Sequence, residues 1–317
     1  MKIVAVESIG IDAVKLKQIS KTFLDLGHEF VFYSDRQEDE NTLVDRMKDA
    51  DIVIVSNIKL SENVLSKCPK LKMLSIAFTG VDHIDLEYCK KANIVVCNAS
   101  GYATDAVSEL TVGLIIDLYR NITFLDNKTR QGGSRNNFLG RQLRDKVVGI
   151  VGTGAIGSRT ALLLQQFGCK VLAWSRTEKT ELKEKGIQYV SLEELLSQSD
   201  IISLHVPLTE ETQNLINKKR LAMCKSSAVL INTARGKVVD IDALAEALEK
   251  KHLAGAAVDV FEAEPPLMRN HPLLSAPNCL VVPHIGFATI ESFEKRIDIV
   301  INNILAYLQG KVINKIL

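Results

Sequence analysis

Short apolar runs alternate with amphipathic segments from one end of the chain to the other. In the N-terminal third, residues 3–6, 30–33, 52–55, 73–76 and 94–97 predict strands. Residues 13–26 and 61–67 carry helical spacing between them. A longer helical pattern runs from Asp105 to about Asp126, and a looser polar stretch with Gly132-Gly133 follows. A second series of apolar runs then begins, at 147–151, 171–174, 188–190, 201–204, 229–231, 255–258 and 280–282, and residues 290–309 predict a last helix. Strands that alternate with helices in this way predict an α/β fold with parallel sheets.

With 317 residues the chain is longer than one core usually serves. Two doubly wound parallel-sheet domains are therefore expected: a flavodoxin-like domain at 1–99 plus 288–317, and a Rossmann domain at 100–287. The chain would cross between them near 98–101 and 286–289. Two crossings of this kind make a hinge and an interdomain cleft, where sites tend to lie.

A formal net charge of +1 argues against nucleic acid as a partner. The opening MKIVAVESIG meets Glu7 too soon for a signal peptide, and no run approaches a membrane span. The six cysteines show no C-x-x-C spacing, which fits reduced thiols in a cytoplasm and no metal site. The chain ends shortly after its last predicted helix, so no appended regulatory domain is expected.

The segment KVVGIVGTGAIGSRTALLLQQFG contains Gly152-Thr153-Gly154-Ala155-Ile156-Gly157. A bare G-x-G-x-x-G is weak, but here a strand precedes it and a helix over 158–167 follows, closed by Gly168. Gly152 suits the tight turn, Gly154 close approach of the backbone to a pyrophosphate, and Gly157 close packing of helix on strand. The amides of Ala155 and Ile156 then face the phosphates. Flavoproteins and S-adenosylmethionine enzymes use similar loops, so the chemistry must come from elsewhere.

Three later strands end in reactive side chains. NTARG holds Arg235, DVFEAEPP holds Asp259, Glu262 and Glu264, and PHIG holds His284. Ligands bind beyond the carboxyl ends of strands in open α/β sheets, which is where all three segments lie. Singly, each has a bland reading: a solvated arginine, loop glutamates, a structural histidine. His28, His83, His252 and His271 have no such neighbours and are read as structural, while His205 ends a strand beside the cofactor loop. Together the set suits reduction of a 2-oxo acid. A histidine donates the proton, a carboxylate sets its tautomer, and an arginine grips carboxylate and carbonyl.

In order and spacing, VGTGAIG, HVPLT, NTARG, DVFEAEP and PHIG resemble the D-isomer-specific 2-hydroxyacid dehydrogenase family over nearly the whole chain. The resemblance implies an NAD(P)-dependent oxidoreductase with Arg235, Glu264 and His284 as catalytic residues, and it selects Glu264 over Glu262. It implies that Asp259 accepts from the nicotinamide amide, and that His205, Val206, Pro207, Thr233, Ala234 and Gly286 line the cofactor. The amides of Thr79, Gly80 and Val81 would hold the substrate carboxylate. A homodimer through the cofactor domain is also implied. Asn57 and the NASGYATDAVSEL segment are similar to glycerate dehydrogenases, which favours hydroxypyruvate or glyoxylate as substrate. Tyr102 is shared with D-lactate dehydrogenases, so lactate remains an alternative; 3-phosphoglycerate is another, although VIVSNIKLSENVL lacks the arginines that phosphoglycerate dehydrogenases place there for the substrate phosphate. Some members of the family are dinucleotide-sensing corepressors, the alternative of another class.

The second cofactor-domain strand ends in Ser175-Arg176-Thr177, where an acid normally grips the adenosine ribose. Removing the acid lifts the repulsion of a 2′-phosphate and supplies donors to it. NADP is expected to be favoured over NAD. The alternative is that Arg176 stacks on adenine and NAD is used.

Overall fold

The computed structural model describes residues 1–263 and 266–317. It divides into two units, Met1–Ala103 with Ala288–Leu317, and Thr104–Phe287. The first junction between these units lies at residues 103–104, and within the first unit Tyr102 N donates to Ala99 O. Among the described residues no helix is long and apolar enough to cross a membrane.

The first unit is built on five parallel strands, β1 (Lys2–Ala5), β2 (Glu29–Phe32), β3 (Ile52–Val55), β4 (Met73–Ile76) and β5 (Val95–Cys97), in the order β2-β1-β3-β4-β5. This is the flavodoxin-like order. The central strands β3 and β4 are buried along their length and, Ser75 apart, apolar, as required when helices cover both faces. The helix Ala13–Asp25 is started by Asp12, whose carboxylate accepts from Lys15 N at 2.7 Å. The helix Ile290–Leu308 returns to this unit. Ser75 Oγ donates to Val300 O at 3.2 Å, and Asn303 Nδ2 donates to Asn98 O at 2.9 Å.

The second unit holds seven parallel strands: β6 (Val147–Val151), β7 (Lys170–Trp174), β8 (Gln188–Tyr189), β9 (Ile201–Leu204), β10 (Val229–Asn232), β11 (Gly255–Val258) and β12 (Cys279–Val281). Their order is β12-β11-β10-β9-β6-β7-β8. The strand order reverses between β6 and β9, which makes the crevice at their carboxyl ends the topological switch point. Buried aliphatic clusters cover both faces of the sheet.

The long helix expected over 105–126 is two helices, Thr104–Arg120 and Ile122–Arg130. Asn121 separates them in the left-handed region at φ 51°. Asparagine tolerates that conformation, and Asp117 Oδ1 takes the exposed Thr123 N–H at 2.9 Å, so the break is capped from the preceding turn.

Candidate dinucleotide and catalytic site

Gly152 follows β6 with φ +97°, and a Cβ there would lie 2.6 Å from the His205 carbonyl oxygen. His205 follows β9, so the two loops meet at the switch point. Gly154 caps the helix Ala155–Gln166, and a Cβ on it would meet nothing within 4 Å. Its backbone is open to a ligand. A Cβ on Gly157 would fall 1.9 Å from Gly152 O, so glycine is required where the helix meets the turn. The helix starts at Ala155 rather than at 158, which puts the amides of Ala155 and Ile156 among the orphan donors of its first turn. Gly168 closes the helix at φ +82°. The loop therefore fits a dinucleotide pyrophosphate.

The cavity beside this loop has a volume of about 530 Å³. It gathers Gly152, Gly154, Ser175, Arg176, Thr177, His205, Val206 and Pro207 from the sequence expectation, and adds Lys179, Glu211 and Arg220. These three were missed because they carry no motif; Lys179 and Glu211 reach the cavity from the loops after β7 and β9, and Arg220 from the short helix Lys218–Leu221. The Tyr189 hydroxyl donates to Thr153 Oγ1 and accepts from Lys179 N, each at 3.0 Å, tying the phosphate turn to the β7 loop. Arg176 Nη1 stands 3.8 Å from Glu211 Oε2. His205 Nε2 is 2.9 Å from Ser203 Oγ, and burial of the ring pushes its pKa down to about 3. It is a neutral wall residue at physiological pH.

Arg235, Asp259 and His284 follow β10, β11 and β12, neighbours in the sheet, at its carboxyl edge. Buried Asn232 shapes the β10 turn: Oδ1 accepts from Ala234 N at 3.1 Å and Nδ2 donates to Arg235 O at 3.0 Å. The Thr233 and Thr111 hydroxyls are 3.1 Å apart, joining that turn to the helix Thr104–Arg120. A Cβ on Gly236 would sit 2.0 Å from the Phe261 carbonyl carbon, so the loops after β10 and β11 are in close contact. Asp259 is 1% exposed. Its carboxylate accepts from Ile285 N at 2.7 Å and Gly286 N at 2.9 Å. It thereby clamps the residues just after His284, whose backbone is left-handed at φ +54°. The His284 ring meets Phe287 edge-on at 5.3 Å.

Glu264 lies outside the described residues. Glu262 instead approaches a histidine read as neighbourless: His271 Nε2 is 3.3 Å from Glu262 Oε2, with Phe261 packed against the ring. That reading missed the pair because Glu262 and His271 stand nine residues apart in sequence and meet only in the folded chain.

In the first unit, Asn57 follows β3, Thr79, Gly80 and Val81 follow β4, and Tyr102 follows β5, so all share one sheet edge. Thr79 O accepts from Asn98 Nδ2 at 2.7 Å. Asn57 Oδ1 accepts from Arg36 Nη1 at 2.8 Å, and the same nitrogen binds Glu7 Oε2 at 2.7 Å. An arginine from a separate segment therefore reaches Asn57. Tyr102 is 4% exposed, its ring between Phe78 at 6.1 Å and the Arg296 guanidinium at 5.9 Å.

Residues 112–286 match the family model described as D-isomer specific 2-hydroxyacid dehydrogenase, NAD binding domain. A glyoxylate reductase of Thermococcus litoralis is 40% identical over 280 residues, 85% of this chain and 84% of that protein. A hydroxypyruvate reductase of Blautia hydrogenotrophica is 32% identical, covering 91% and 92%. An acyclic imino acid reductase solved with NADPH and D-Arg superposes with a TM-score of 0.91 at 30% identity over the full length of both chains. A phosphate loop at the switch point, three reactive strand ends on the same edge and this family match agree: the chain belongs to the D-isomer specific 2-hydroxyacid dehydrogenases, nicotinamide-dinucleotide oxidoreductases that act on the CH–OH group of small 2-hydroxy acids.

Proposed function

We propose that this enzyme reduces glyoxylate or hydroxypyruvate to the corresponding 2-hydroxy acid, with NADPH preferred over NADH. The observation that carries the catalytic assignment is the shared sheet edge of Arg235, Asp259 and His284, with the His284 loop held by a buried carboxylate. Arg235 binds the substrate carboxylate and polarises the carbonyl with its planar fork. His284 donates the proton that the reduced oxygen needs. Glu264, outside the described residues, is the carboxylate that the family resemblance assigns as the partner of that histidine. The amides of Thr79, Gly80 and Val81 take the substrate carboxylate, and Asn57 and Tyr102 shape the rest of its pocket. When bound, the nicotinamide supplies the hydride.

The names of the Thermococcus and Blautia relatives support the substrate class. For the cofactor, Ser175, Arg176 and Thr177 wall the cavity where an acid would repel a 2′-phosphate, and one structural neighbour was solved with NADPH. The protein acts as a homodimer through its second unit, where Ile122, Phe124 and Leu139 are 51%, 61% and 83% exposed. Six free cysteines, four of them buried, suit a reducing cytoplasm.

The test is oxidation of NADPH and of NADH by purified protein with glyoxylate, hydroxypyruvate, pyruvate and phosphohydroxypyruvate. His284→Ala is expected to lose turnover with cofactor affinity intact. Equal loss of both would make His284 structural, and inactivity with every acid would overturn the substrate assignment.

A further inference from the structure

We infer that Glu211 sets the cofactor preference of this enzyme by opposing Arg176. The inference rests on the reading of the cavity as the adenosine end of the cofactor site. Arg176 projects from the end of β7 and Glu211 from the loop after β9, and both line the cavity. Their charged ends are 3.8 Å apart, with both side chains 76% exposed. In that geometry the pair is water-screened and weakly held, so either side chain is free to exchange its partner for a ligand group.

A 2′-phosphate carries close to two negative charges, and a guanidinium suits it better than one screened carboxylate does. Any phosphate that reaches Arg176 nevertheless arrives beside Glu211. The acid missing from the strand end is thus supplied from another loop, although farther off and more solvated. Its repulsion blunts the preference that Arg176 creates, and the outcome is use of both cofactors with NADP moderately favoured. Lys179 is on the same cavity wall, its Nζ 3.2 Å from Ser158 Oγ in the first turn of the phosphate-loop helix. It offers a second cation to the cofactor phosphates, which Glu211 does not oppose by contact.

The experiment measures binding of 2′,5′-ADP and of 5′-AMP by calorimetry to the full-length wild type, Glu211→Gln and Arg176→Ala. For a carboxylate as exposed as Glu211, screened as by bulk water, a separation on the order of 6 Å from a phosphate of about one to two charges predicts that Glu211→Gln raises the affinity ratio of 2′,5′-ADP over 5′-AMP about threefold to tenfold. The gain should shrink as salt rises through physiological ionic strength. Arg176→Ala should lower the same ratio. If Arg176→Ala lowers the ratio while Glu211→Gln leaves it alone or lowers it, the role of Glu211 is refuted and the phosphate reading stands. If neither variant moves the ratio, the cavity does not select for the 2′-phosphate, and both fall.

Discussion

Replacing Asp259 by asparagine tests the central feature of the catalytic edge. The carboxylate is 1% exposed and accepts from the amides of Ile285 at 2.7 Å and Gly286 at 2.9 Å. Asparagine is nearly isosteric but keeps one acceptor oxygen, so it satisfies one amide and turns an NH₂ toward the other. One charge-assisted hydrogen bond, worth about 1.5–3 kcal/mol, is lost, and a buried N–H is left without an acceptor at a further cost of about 1–3 kcal/mol. Part of this is recovered by relaxation, so a loss of about 2–4 kcal/mol is expected. That is a large share of a typical domain's stability of about 5–15 kcal/mol. Trp174, the one tryptophan of the chain, is in β7 of the second unit, so its fluorescence in urea reports the unit that contains Asp259. At a slope of about 1–3 kcal/mol per molar urea, the midpoint should fall by about 1 M or more. The His284 loop is anchored by the same two bonds, so turnover should fall in the variant under conditions where it remains folded, because a displacement of about 1 Å costs on the order of a hundredfold. A midpoint within about 0.3 M of wild type and normal turnover would show that the clamp is dispensable.

Three further outcomes follow from the site. Arg235→Lys keeps the charge and loses the fork, so kcat/KM for a 2-oxo acid should drop about tenfold to a hundredfold, the worth of one charge-assisted hydrogen bond; near-normal kinetics would remove Arg235 from substrate binding. Gly157→Ala puts a methyl 1.9 Å from Gly152 O, so the phosphate turn must shift, and NADPH affinity, read by cofactor fluorescence, should weaken at least about tenfold; unchanged affinity would mean the turn does not contact the cofactor. His205 is held at a pKa of about 3 against an ordinary 6.5, so below pH 6.5 the unfolded chain takes up a proton that the folded ring refuses. Its stabilising effect is complete above pH 6.5 and is lost as pH falls toward 3, and His205→Asn should flatten the urea midpoint between about pH 6.5 and 4.5; an unaltered slope there would show that the ring is solvated.

What could be read from sequence, and what could not, divides by the range of the forces involved. The glycine loop was legible because each glycine answers a constraint set within a few residues: the turn at Gly152, the open backbone at Gly154, the contact of Gly157 with Gly152. Strand ends bearing Arg235, Asp259 and His284 were legible because a parallel sheet places every carboxyl end on one edge. Helical periodicity continued through Asn121 and hid the break there, since one left-handed residue alters the direction of a helix but not the spacing of its apolar positions. The unseen features all depend on loops that approach through tertiary folding. Arg36 reaches Asn57 from the loop after β2, Glu262 meets His271 nine residues on, and Glu211 approaches Arg176 at the cavity wall. The last case bears directly on function. A strand end without its acid reads as a selector for NADP so long as only the strand is considered, yet a carboxylate returns to within 3.8 Å of the same arginine from another loop. On the proposed reading, cofactor choice in this enzyme follows the net charge gathered at the cavity mouth, of which the residue at the strand end is one contributor.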